Sequence, residues 1–193
     1  MKPFIIIIAI LAIVALILSS KTALALEKPK YTLVSKSGSL EIREYKPVML
    51  ASTSLQGPYK DSTRSGFRTI AGYIFGDNTA QEKIAMTAPV LVENPQNPEY
   101  TMAFVMPSES VAKGLPAPNT QRLQLQEQSW GAVAVWSFGG WATEKRLEKE
   151  WSKMQAALQK QDIVVEEYDW IAQYNPPSMP PPFRHNEIWV LLP

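Results

Sequence analysis

The sequence predicts an α+β fold: a curved antiparallel sheet or distorted open β-barrel with two helices, built from a βαββ unit used twice about a pseudo-two-fold axis. Three observations carry this prediction. Two helical stripes, Phe67-Ile70-Ala71-Ile74 and Leu147-Trp151-Met154-Leu158, are each bracketed by strand-like runs. A break precedes each helix, at Gln56-Gly57-Pro58-Tyr59 and at Phe138-Gly139-Gly140-Trp141. A proline then interrupts each following strand, at Ala88-Pro89 and Asn175-Pro176, 32 positions beyond Gly57 and 37 beyond Gly139. The competing reading is a chance likeness of two α+β halves. If the duplication holds, the halves enclose a concave surface, the usual place for a small-molecule pocket.

The elements follow in order. Lys2, an apolar run of 15 residues from Phe4 to Leu18, and Ala23-Leu24-Ala25 have the layout of a secretory signal peptide. Cleavage is expected after Ala25. The alternative is a retained membrane anchor over residues 4–20, short against the roughly 20 apolar residues of a spanning helix. Either way residues 26–193 are expected to be exported, periplasmic or extracytoplasmic, touching a membrane only through that segment if it is uncleaved. Residues 26–30 read as a linker and 31–193 as one domain, expected to be monomeric.

Tyr31 to Glu44 reads as a hairpin around Ser37-Gly38-Ser39, and Val48 to Leu55 as a strand. The first helix is expected to be capped by Asp61 or Ser62 and ended by Gly76-Asp77-Asn78. Strands are expected at Ile84 to Val92 and Tyr100 to Met106, with Lys113 to Asn119 as connector. The second half repeats the plan: a strand at Ala132 to Phe138, the second helix, then strands at Ile171 to Tyr174 and Glu187 to Leu192. The proline-rich stretch between those last two reads as a stiff capping loop.

Composition narrows the chemistry. The chain has 193 residues, no cysteine, one histidine and a formal charge of +1. Without cysteine there are no disulfides, thiolate nucleophiles or cysteine-ligated metals. Near-neutral charge argues against nucleic acid as a partner. No phosphate-binding glycine loop or nucleophile–base arrangement is present, so an enzyme is not expected.

The remaining candidates are few. His185 is the single imidazole, readable as an iron ligand, a general base or a plain loop residue. Glu187 heads an apolar strand; facing a barrel interior, it would have a raised pKa and bind a cation or act as an acid or base. The alternative is an edge glutamate in water. Arg64 and Arg68, four apart on the first helix with Tyr73 beyond, suit a carboxylate clamp or a solvated face. Trp130, Trp136, Phe138, Trp141 and Trp151 read as core packing or as the lining of a pocket for a flat ligand. Glu166-Glu167-Asp169 is a weak cation-site candidate.

Several segments together carry a resemblance. Glu41-Ile42-Arg43-Glu44-Tyr45, Gly66-Phe67-Arg68, Tyr73-Ile74-Phe75-Gly76, Glu82 through Val90 (EKIAMTAPV), Phe104-Val105-Met106-Pro107, Tyr174-Asn175-Pro176-Pro177 and Arg184 through Val190 resemble the SOUL haem-binding family. The resemblance runs from about Tyr31 to Leu192. It implies a distorted antiparallel barrel with two helices, similar to GyrI-like small-molecule-binding domains. It also implies non-covalent binding of haem or another tetrapyrrole, a small hydrophobic planar ligand, over the first helix. That helix offers Arg64, Phe67, Arg68, Ala71 and Tyr73. The early histidine of some animal members has no counterpart here. Similarity to GyrI-like domains points instead to Glu187 as a pocket carboxylate for amphipathic cations, the second expectation. A haem-processing or hydrolytic role for Glu187 or His185 is the third.

Overall fold

The computed structural model describes residues 26–193; the expected leader, residues 1–25, lies outside the described residues. The elements are β1 (Tyr31–Ser37), β2 (Leu40–Tyr45), β3 (Val48–Gln56), α1 (Tyr59–Ile74), β4 (Val90–Glu93), β5 (Glu99–Val105), α2 (Ser108–Lys113), β6 (Gln124–Gln128), β7 (Gly131–Phe138), α3 (Glu144–Gln159), β8 (Trp170–Gln173), a 3-10 turn (Pro181–Phe183) and β9 (Asn186–Leu191). The strands form one antiparallel sheet in the order β1-β2-β7-β9-β8-β4-β5-β3-β6.

That order displays the duplication. β3-α1-β4-β5 and β7-α3-β8-β9 each place their last strand between the other two, and the triplets meet where β4 pairs with β8. The strands preceding each unit are exchanged: β2 pairs with β7, and β6 with β3.

The exchange forces the sheet to curl. β2 and β3 lie six places apart in the sheet, about 29 Å if it were flat, yet only Lys46-Pro47 links them. Such a link reaches about 11 Å. Ser129-Trp130 imposes the same closure between β6 and β7. The sheet therefore bends into a half-barrel, with Tyr45 of β2 and Leu50 of β3 in one buried cluster on its concave side.

Both long helices cover the convex side. α1 buries Gly66, Ile70, Tyr73 and Ile74 against Leu55, Met102 and Phe104. α3 buries Leu147, Met154 and Leu158 against Phe138, Ile171 and Ile188. Each large apolar side chain fully removed from water contributes about 2 kcal/mol, so these stripes seat the helices. Gly66 allows the close approach, because a Cβ there would lie 2.6 Å from Leu55 Cδ2.

Several expectations shift. α1 begins at Tyr59 after Pro58 with no side-chain cap, and Ser62 Oγ instead donates to the Pro58 carbonyl at 2.7 Å. The expected strand from Ile84 is a coil up to Pro89: the Ala88 amide bonds the Glu27 carbonyl at 2.8 Å and Pro89 has no N–H, so ladder pairing starts at Val90. α2 and β6 were absent from the sequence reading. Asn78 closes the turn after α1, its carboxamide donating to Tyr73 O (3.0 Å) and Glu82 O (2.7 Å) and accepting from the amides of Ala80 and Glu82.

Candidate functional site

Strand alternation sends Glu187 and Trp189 of β9 to the concave side while Ile188 and Val190 face α3. Glu187 does not meet an open pocket there. Arg43, on the exchanged strand β2, reaches it with two parallel hydrogen bonds: Nη2 to Oε1 at 2.9 Å and Nη1 to Oε2 at 3.1 Å. Tyr174 Oη (2.7 Å) and Trp189 Nε1 (2.8 Å) donate to Oε2, and His185 Nε2 lies 3.0 Å from Oε1. Five donors saturate one carboxylate. Arg43 is equally engaged, with Nε on Glu41 at 2.7 Å, Nη1 on Tyr45 Oη at 3.1 Å and its guanidinium 4.3 Å from the Tyr31 ring centre.

This arrangement reverses the expected titration. Burial by itself would raise the pKa of Glu187, but the hydrogen bonds from His185 and Arg43, the Arg43 charge and the Tyr174 hydroxyl lower it to about 2. Burial likewise works against the Arg43 cation, and Glu187 more than compensates, holding its pKa above the ordinary value. Tyr174 is pushed up, first by burial and then by the Glu187 charge.

The concave side next to this pair is filled as well. Tyr45, Trp130 and Trp189 pack with ring centres 4.9 to 5.5 Å apart, and none is more than 4% exposed. The hollow expected to accept a planar guest is thus occupied by the chain's own aromatic rings and the Arg43–Glu187 pair. Of the other tryptophans, Trp136 donates to Glu150 at 3.1 Å, Trp151 packs on Tyr168, and Trp141 lies 3.6 Å beneath the Arg184 guanidinium. No group of three acidic or imidazole side chains able to hold a metal occurs among the described residues, Glu166, Glu167 and Asp169 included.

The outer face of α1 is the opposite case. Arg64, Phe67, Arg68 and Phe75 lie exposed along one stripe with Ala71 half-buried between them. Phe67 packs its inner edge on Phe104, ring centres 5.5 Å apart, yet stays 42% exposed, and Phe75 is 58% exposed. The Ile84 amide donates to the Ile74 carbonyl, holding the returning segment against the end of α1. Two residues on, that segment exposes Met86. Arg64 and Arg68 make no side-chain hydrogen bond or ion pair among the described residues. Tyr73 is separated from this group: it is 1% exposed and its hydroxyl donates to Pro116 O at 2.9 Å. The sequence pattern alone assigns no role to Arg43 or Phe75. The alternation of Glu41, Arg43 and Tyr45 along β2 was the available signal for the first.

A pseudo-symmetric antiparallel half-barrel of this order, with two long helices on its convex side, is the GyrI-like α+β fold. The C-terminal domain of EcmrR shares it with a TM-score of 0.57 at 10% identity, covering 83% of this chain and 96% of that one. A Listeria innocua protein described as a hydrolase shares it with a TM-score of 0.52 at 11% identity, covering 82% of this chain and 93% of that one. Sequence narrows the assignment: the chain belongs to the SOUL heme-binding protein family, whose pattern matches residues 26–191. Human Heme-binding protein 2 is 31% identical over 162 residues, 80% of this chain and 78% of the relative. Heme-binding protein 1 of Xenopus laevis is 25% identical over 160 residues, 79% of this chain and 83% of the relative.

Proposed function

We propose that this protein is a non-enzymatic, non-covalent binding module for haem or a related tetrapyrrole, held on the outer face of α1. The observation that carries the reading is the exposed α1 stripe, in which Phe67, Ala71 and Phe75 run beside two unpaired guanidinium groups. These residues fit a haem: apolar surface for the macrocycle, and Arg64 and Arg68 for its two carboxylates. Family membership and relatives named for haem binding support the same ligand.

Bound haem would supply an iron centre and an intense visible chromophore. The chain's own residues bind and orient it. A macrocycle covering about 200 Å² of apolar surface gains about 5 kcal/mol before association costs, so the arginines are needed to reach micromolar affinity. His185, the chain's sole imidazole, is engaged with Glu187 on the concave side and is therefore not a ligand for iron held on α1. The cation-binding alternative centred on Glu187 is disfavoured, because Arg43 already occupies the position an incoming cation would take.

Export belongs to the same proposal, supported by the leader-like order of residues 1–25. Among the described residues no helix is long and apolar enough to cross a membrane. Haemin titration, followed at the Soret band, tests the binding claim. Saturation is expected, with affinity reduced about tenfold or more in the Arg64→Gln/Arg68→Gln variant. No Soret change with wild-type protein would reject haem, and unchanged affinity in the variant would reject the clamp.

A further inference from the structure

The pseudo-two-fold axis creates two equivalent positions on the concave side, and strand register identifies them. On β7 and β9, Val133, Val135 and Ser137 stand opposite Leu191, Trp189 and Glu187. On β3 and β5, Leu50, Ser52 and Ser54 stand opposite Val105, Ala103 and Thr101. Thr101 is therefore the counterpart of Glu187. The exchanged strands agree: β2 sets Arg43 and Glu41 beside Val133 and Val135, whereas β6 sets Gln126 and Gln124 beside Leu50 and Ser52. Gln126 thus stands where Arg43 stands in the other half, and Gln124 where Glu41 stands.

Arg43, Glu187 and Glu41 thus have the neutral counterparts Gln126, Thr101 and Gln124, and the second position is open. A cleft of about 300 Å³ lies there, its lining including Ser52, Ser54, Thr101, Gln124 and Gln126 together with Arg122. Arg122 has an exposed guanidinium with no ion-pair partner among the described residues. At the rim Ser54 donates to Glu99, which leaves the Ser54 oxygen free to accept.

We propose that this cleft is a second binding site, independent of the α1 face, for a small polyhydroxylated oxyanion such as a sugar acid or sugar phosphate. Hydroxyls and carboxamides both donate and accept, which matches the alternating needs of ligand hydroxyl groups. The single guanidinium matches one carboxylate or phosphate through two parallel hydrogen bonds. No aromatic side chain lines the cleft, so it offers nothing to a flat apolar ligand. Its volume stands at the small end of ligand sites, which run from about 300 to 1,000 Å³.

Amide chemical-shift titration of the protein with gluconate, glucose 6-phosphate, glucose and inorganic phosphate tests this. Gluconate or glucose 6-phosphate is expected to saturate, with shifts centred on residues 52–54, 101 and 121–126. Arg122→Gln is expected to weaken that binding about tenfold or more, leaving the haemin titration unchanged. The site is rejected if neither acid saturates below about 10 mM or if Arg122→Gln binds as wild type does. Glucose or inorganic phosphate binding as tightly as the sugar acids would reject the combined recognition of oxyanion and hydroxyls.

Discussion

Replacing Arg43 by methionine tests the concave plug most severely. Methionine roughly keeps the length of the side chain but removes both hydrogen bonds to Glu187 and the positive charge beside it. Glu187 is 1% exposed, so its carboxylate would stay buried with only His185, Tyr174 and Trp189 as donors. Removing one partner of a buried ion pair costs about 3–5 kcal/mol. The pH dependence should also change sign. In the wild type the Glu187 pKa is depressed from 4.5 to about 2. Its contribution, about 3 kcal/mol, is therefore complete above the unfolded value and lost as pH falls through the interval. Without Arg43, burial dominates and raises the pKa, so protonation in the acid range relieves the folded state instead. Urea unfolding followed by tryptophan fluorescence should show a deficit of about 3–5 kcal/mol at pH 7 that shrinks to about 1 kcal/mol at pH 3. A deficit below about 1 kcal/mol at pH 7, or one unchanged by acid, would refute the reasoning.

Three further substitutions probe the scaffold. Asn78→Ala deletes a buried carboxamide with four hydrogen bonds, and a loss of about 3 kcal/mol in chemical denaturation is expected; a change under about 1 kcal/mol would show that water replaces it. Gly66→Val drives a branched side chain into Leu55, Met102 and Thr53, and should lower stability by about 2–3 kcal/mol; a thermal midpoint equal to wild type would mean that α1 is not closely seated. Thr143→Ala removes the hydroxyl that accepts from the Arg146 amide at 3.3 Å and should cost about 1 kcal/mol. Circular dichroism melts would show whether α3 depends on that cap.

Much of the architecture was legible because it rests on local periodicity. β3, β7 and β9 alternate or run apolar over several residues, and both long helices have stripes at helical spacing. What escaped had no local signature. β6 carries one apolar residue, Leu125, in Gln124–Gln128, and exists because β3 offers it a partner. The strand pattern leaves Glu187 open between the barrel interior and an edge in water; it lies inside, and its neutraliser lies 144 residues away on an exchanged strand, so the sign of its titration is beyond a single-strand reading. Tyr73 was grouped with Arg68 by proximity in sequence. Five residues turn a helix by about 500°, leaving the two side chains about 140° apart, one in solvent and one in the core.

The decisive comparison is haemin affinity in Phe67→Asp against Glu187→Gln, read from Soret titrations of both variants and wild type under one buffer. If the macrocycle lies on α1, Phe67→Asp weakens binding by about tenfold or more while Glu187→Gln stays within about twofold of wild type. The opposite ranking, with Phe67→Asp unaffected and Glu187→Gln impaired, would put the ligand on the concave side and contradict the account.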